Sequence, residues 1–169
     1  MDERLAPGVS VGFAEPARGT AGPEADQPDS LASTTTVFIC TRCRLPGSDR
    51  AAEPLDGERL LTALLDAARG AMSPTGPEIR GVACLSNCNR PCTVAFVGPG
   101  KLTTVYGELG TDPEDAAAVL AMAGLYAASA NGITVWRDRP ERLRRGLIAC
   151  VPPFGFVGDP VLAGHDTAR

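Results

Sequence analysis

The sequence predicts one α/β domain, ordered as strand, helix, strand, ligand loop, β-hairpin and helix. Three observations carry this expectation. Two short β-branched runs each stop at a cysteine, and residues 60–72 have the spacing of an amphipathic helix. A Gly-Pro-Gly turn then joins two more apolar runs ahead of a helix that starts with proline.

Thr35-Thr36-Val37-Phe38-Ile39 is β-branched and aromatic, which suits a half-buried strand, and it ends at Cys40. Leu60, Leu61, Leu64, Leu65, Ala68 and Met72 form one apolar stripe at helical spacing. Glu58, Arg59, Asp66 and Arg69 cover the remainder, and Asp56 is the expected N-cap. Ile79 to Ala83 is the second strand and ends at Cys84. Thr93–Val97 and Leu102–Tyr106 flank Gly98-Pro99-Gly100-Lys101 as a hairpin. Thr111-Asp112-Pro113-Glu114 reads as a capping box with proline in the first turn. The helix it opens presents Val119, Leu120, Ala123, Tyr126 and Ala127 on one side, and Asn131-Gly132 stops it. A right-handed crossover makes the first two strands parallel, and the hairpin adds antiparallel ones. That order matches a minimal thioredoxin-like core, with the usual middle helix reduced to the Cys84–Cys92 loop.

At 169 residues the chain is long enough for one domain with a real core, but not for two of ordinary size. Residues 1–33 are rich in glycine, proline, alanine and acid, without hydrophobic periodicity, and are expected to be disordered. The folded domain is expected over 34–153, and 154–169 as a C-terminal tail. The net charge of −4 comes from the two ends. The near-neutral middle makes no case for nucleic acid. No stretch approaches the roughly 20 apolar residues that span a bilayer. Met1-Asp2-Glu3-Arg4 lacks the pattern of a secretory signal, so the expected location is the cytoplasm. In that reducing compartment six cysteines are more readily ligands or catalytic thiols than structural disulfides.

Cys40-Thr41-Arg42-Cys43 sits at the exit of the first strand, and Cys84-Leu85-Ser86-Asn87-Cys88-Asn89-Arg90-Pro91-Cys92 at the exit of the second. Adjacent parallel strands bring their C-terminal ends to one sheet edge, where open α/β sheets build their sites. A lone cysteine usually packs as a small hydrophobe. Five of six at two strand ends, among polar neighbours, read as soft ligands for an iron–sulfur cluster or for zinc. Cys150, inside Leu147-Ile148-Ala149-Cys150-Val151, is expected to pack in the core, and His165 stands alone in the tail.

Cys84-x3-Cys88, followed by a proline and a strand, resembles the second ligand pair of thioredoxin-like [2Fe–2S] ferredoxins. The small flavoprotein-partner subunit of respiratory complex I has the same arrangement. That resemblance implies a [2Fe–2S] cluster on Cys40, Cys43, Cys84 and Cys88. These ferredoxins usually space the first pair more widely than Cys40-x2-Cys43, which keeps Cys92 as a fifth candidate. The stretch from Thr36 to Pro153 also resembles the DUF1636 family of predicted metal-binding proteins. The phrases that carry it are Cys40-Thr41-Arg42-Cys43, the run from Leu85 to Phe96, Leu125-Tyr126-Ala127-Ala128-Ser129 and Trp136-Arg137-Asp138-Arg139-Pro140. Members often lie near cobalamin-biosynthesis genes, so the resemblance implies redox or metal handling in that pathway.

The leading expectation is therefore a one-electron carrier rather than an enzyme, with a transient redox protein as partner and a homodimer as its form of self-association. Arg42, Arg44 and Arg90 flank the cysteines and would favour a reduced cluster; their alternative role is surface solvation. A structural or delivery zinc module is the second function. The third is a thiol–disulfide oxidoreductase using Cys40/Cys43, against which Arg44-Leu45-Pro46-Gly47 breaks any helix starting at the motif. The basic run Arg137, Arg139, Arg142, Arg144 and Arg145 is expected to be a solvated face held by internal ion pairs, and Trp136 and Tyr126 to pack in the core or at its edge.

Overall fold

One face of the sheet carries the core residues. In the computed structural model, which describes residues 35–49, 51–71 and 76–157, Val37, Ile39, Val94 and Phe96 are fully buried. The expected extension over 1–33, Met72, and the tail beyond Val157 with His165 lie outside the described residues. The strands are β1 (Thr36–Cys40), β2 (Glu78–Val82), β3 (Val94–Val97), β4 (Thr103–Tyr106) and β5 (Leu147–Val151). They form one sheet in the order β2-β1-β3-β4-β5. β1 and β2 are parallel, with Cys40 opposite Val82, and the remaining neighbours are antiparallel.

The helices are α1 (Asp56–Ala71), α2 (Pro113–Ala128) and the single turn α3 (Glu141–Arg144). α1 and α2 pack on each other and on one face of the sheet. Leu60 and Leu64 of α1 meet Val119, Met122, Ala123 and Tyr126 of α2 in a core shared with Val37, Ile39, Phe96 and Tyr106. The Tyr126 hydroxyl donates to the Leu102 carbonyl at 2.9 Å, so this buried ring keeps a polar partner. The strand, helix, strand, loop, hairpin, helix order is thioredoxin-like, and residues 83–93 run as a loop where that fold usually carries a helix. No helix among the described residues is long and apolar enough to cross a membrane.

Several local expectations shift. Asp56 is the first residue of α1 rather than its cap; its carboxylate accepts the Leu45 N–H at 2.8 Å, while Glu58 reaches back to the Leu55 N–H at 2.9 Å. The cap of α2 is Asp112, not Thr111, and it accepts the Asp115 N–H. Pro113 then occupies the first turn, where a missing N–H costs nothing. The buried face of α2 runs through Ala116, Val119, Met122, Ala123 and Tyr126, leaving Ala127 outside. Trp136 is exposed, with the Arg144 guanidinium over its ring. Cys150 is also exposed, against the expectation of core packing. Its apolar run forms β5, an edge strand paired only with β4, so one flank of that run has no neighbour to bury it. In the basic run Arg142 pairs with Asp112 and Asp115, and Arg139 and Arg144 are engaged by backbone carbonyls.

Candidate metal centre

The first cysteine pair leaves β1 directly. Parallel pairing of β1 with β2 carries on past the strand ends: the Thr41 N–H and hydroxyl both donate to the Val82 carbonyl, at 2.9 and 3.2 Å. The Cys40 N–H donates to the Thr93 carbonyl at 3.0 Å, and its thiol faces the Ala83 carbonyl at 3.9 Å. These bonds stitch the Cys40–Cys43 turn to both ends of the Cys84–Cys92 loop.

The start of α1 closes the opposite side. The Gly57 N–H donates to the Cys43 carbonyl at 3.1 Å. A Cβ on Gly57 would collide with the Cys40 carbonyl oxygen and stand 2.8 Å from the Thr41 carbonyl carbon and oxygen, so only glycine permits this approach. The positive end of a 16-residue helix thereby abuts the first cysteine turn. Burial works against the Asp56 carboxylate, but the Leu45 N–H, the Ser48 hydroxyl and Arg59 hold it below the ordinary carboxylate range.

Cys40, Cys43, Cys84 and Cys88 line one cavity of about 190 Å³ together with Arg42, Arg44 and Asn87. One water needs roughly 10–15 Å³ of such space, so the cavity accommodates a group of several atoms. Cys40 and Cys43 form its buried wall, and Cys84 and Cys88 its exposed rim. Among the described residues no three His, Cys, Asp or Glu side chains are gathered tightly enough to grip a single metal ion. The four thiols share a cavity rather than a point.

The two pairs differ in electrostatics. Burial pushes the Cys43 thiol up to about 11, against hydrogen bonds from the Thr93 and Cys92 backbone and reinforced by the Cys40 sulfur beside it. At the rim the Ser86 N–H donates to the Cys84 sulfur at 3.2 Å and holds that thiol below its usual value. Cys92, the fifth candidate, does not line the cavity. It lies fully buried in the core, where desolvation and the nearby Cys43, Asp56 and Asp115 raise its thiol to about 12. The raised Cys43 is the reverse of what a disulfide-exchange pair requires, although the helix end it lacked in sequence does reach the motif.

Arg42 and Arg44 line the cavity as expected, and Arg42 is exposed with no ion pair among the described residues. Arg90 does not. Its guanidinium turns away to Glu108, with Nε to Oε1 at 3.0 Å and Nη2 to Oε2 at 3.2 Å. Gly57, Asn87 and Glu108 were not singled out from sequence. For Gly57 a signal existed, since a glycine inside a helical pattern costs about 1 kcal/mol against alanine and so points to a packing reason.

Residues 37–153 match the family described as "Protein of unknown function (DUF1636)". The chain belongs to that family. The matched span of this DUF1636 protein contains all five candidate ligand cysteines. The structure of a thioredoxin-like [2Fe–2S] ferredoxin from Aquifex aeolicus is similar to it over 75% of this chain and 100% of that one, with 20% identity and a TM-score of 0.45. No curated protein matches the sequence.

Proposed function

We propose that this protein is a one-electron carrier whose [2Fe–2S] cluster is held by Cys40, Cys43, Cys84 and Cys88. The observation that carries this is the meeting of four thiols, drawn from two distant segments, on one cavity of about 190 Å³. The donor set fits: iron–sulfur clusters take thiolate ligands, and the cluster supplies the one-electron redox couple when bound. Zinc would have to draw all four sulfurs to about 2.3 Å of one centre. Thiols standing around a cavity of this size suit a core of several atoms better.

The chain's own groups answer the negative charge that four thiolates and a cluster bring. The Ser86 N–H is aimed at the Cys84 sulfur, and backbone groups of Thr93 and Cys92 at that of Cys43. Arg42 and Arg44 place positive charge on the wall, and the α1 N-terminus adds its dipole from behind Cys43. Such donors strengthen thiolate ligation and favour the more negative, reduced state. Cys92 stays protonated beneath the site and serves as packing.

The partner is a redox protein that docks transiently at the exposed rim. An adjoining groove lined by Arg44, Leu45, Pro46, Gly47, Ser48, Cys88, Asn89 and Pro91 shares Arg44 and Cys88 with the cavity and gives the partner access to it.

Anaerobic purification tests the proposal. Two iron and two acid-labile sulfide per chain are expected, lost in each of Cys40→Ser, Cys43→Ser, Cys84→Ser and Cys88→Ser. Colourless protein with stoichiometric zinc would overturn it in favour of the zinc module.

A further inference from the structure

The Cys84–Cys92 loop lacks the helix that would otherwise stiffen it, yet it must hold Cys84 and Cys88 opposite Cys40 and Cys43. Its internal bonds are few. The Arg90 N–H donates to the Asn87 carbonyl at 3.1 Å, and the Asn87 amide returns to the Arg90 carbonyl at 3.1 Å and to the Thr93 hydroxyl at 3.2 Å. The loop also carries residues in the left-handed region at Ser86, φ 56°, and Cys92, φ 52°. Non-glycine residues persist there only when the surroundings hold them.

Arg90, within the loop, reaches out of it for that hold. Besides its two bonds to Glu108, its guanidinium donates to the Arg145 carbonyl at 3.1 Å and the Leu147 carbonyl at 3.4 Å. One side chain thus ties the loop to the end of β4 and the start of β5. The backbone repeats the tie: the Glu108 N–H donates to the Pro91 carbonyl at 2.9 Å, and a Cβ on Gly107 would collide with the Arg90 carbonyl oxygen. Glu108 is itself left-handed, φ 63°, which is the conformation that accompanies its approach to Arg90.

We propose that Arg90 and Glu108 form a clamp that positions the Cys84/Cys88 half of the metal site, so that β5 and its lead-in act as the anchor of the ligand loop. The clamp rests on the ligand set proposed above, and its residues do not line the cavity; they are positioning residues. An ion pair whose carboxylate is 55% exposed and whose guanidinium is 29% exposed adds little to global stability. Removing it should loosen the loop far more than it lowers the melting temperature.

Arg90→Ala, Arg90→Lys and Glu108→Gln separate the possibilities. Hydrogen exchange on metal-free protein should accelerate in residues 84–92 while the exchange of β1 and β3 stays put. On cluster-loaded protein, iron transfer to a chelator should quicken by roughly tenfold to a hundredfold, the usual cost of losing an outer-sphere partner. Arg90→Lys should restore part of both effects, and Glu108→Gln serves where Arg90→Ala fails to fold. Unchanged exchange in 84–92 would overturn the clamp, as would faster exchange with unaltered iron retention. If the wild-type chain takes up no cluster, the exchange data still decide whether the clamp exists, and it is the ligand assignment that falls.

Discussion

Substituting Gly57 by alanine should unfold the approach of α1 to the first cysteine turn, while the same change at Gly70 of the same helix should stabilise the protein. At position 57 the new methyl would overlap the Cys40 carbonyl oxygen and stand 2.8 Å from the Thr41 carbonyl. Both neighbours are backbone, so no flexible side-chain tip can yield, and the helix start must back away. Overpacking of this kind costs about 1–3 kcal/mol, and losing the Gly57 to Cys43 hydrogen bond adds about 1 kcal/mol. At position 70 a methyl meets nothing within 4 Å among the described residues, and replacing a helical glycine gains about 0.5–1 kcal/mol. The two variants should therefore differ by about 3 kcal/mol or more. At roughly 4 °C per kcal/mol for a domain of this size, that is a gap of at least about 10 °C in melting temperature. Circular dichroism melts of the metal-free variants read this directly, and iron content after anaerobic reconstitution should fall only in Gly57→Ala. Two variants melting within about 2 °C of one another would refute the close-approach argument.

Cys92→Ala should retain iron and sulfide while lowering stability by about 1–2 kcal/mol, because this fully buried thiol packs in the core and does not line the cavity; loss of iron would promote it to a ligand. In metal-free protein at pH 8, mass spectrometry should find Cys84 alkylated first, since it is exposed and its thiol is held low by the Ser86 N–H. Cys43 and Cys92, raised to about 11 and about 12, should stay unmodified until the chain unfolds. Burial and the adjacent Asp112 raise Asp115 to about 6 in the folded protein. A carboxyl raised on folding favours the native state below its unfolded value near 4 and loses that contribution as pH climbs through 6. The wild type should thus lose up to about 3 kcal/mol relative to Asp115→Asn between pH 4 and pH 7, read from urea midpoints; parallel pH profiles would refute it.

Much of the architecture was legible because it rests on short-range physics. β-Branched and aromatic runs and the Gly98-Pro99-Gly100 turn marked β1 to β4, and a period near 3.6 marked α1 and α2, with boundaries displaced by a residue or so. The cap of α2 moved by one residue, from Thr111 to Asp112, because neighbouring side chains of similar chemistry compete for the same free N–H groups, whereas Asp56 starts α1 itself because its carboxylate is taken by the Leu45 N–H. The placing of two cysteine turns at one sheet edge followed from the parallel crossover alone. β5 was harder. Leu147–Val151 is as apolar as a core strand, and only its position at the edge leaves Cys150 in solvent.

What the chain determined by itself is local: the order of elements, the cysteines at the strand tips, the proline-led helix. What the tertiary structure decided is the identity of partners distant in sequence. Arg90 reads as a charge beside a cluster until Glu108 and the Arg145 and Leu147 carbonyls come within reach and turn it into a tie. Cys92 reads as a fifth candidate ligand until packing between sheet and helices seals it away from the cavity. A guanidinium or a thiol can serve either role with the same chemistry. Which one it serves depends on the groups that packing brings within about 3–4 Å, and those contacts are set by the whole fold.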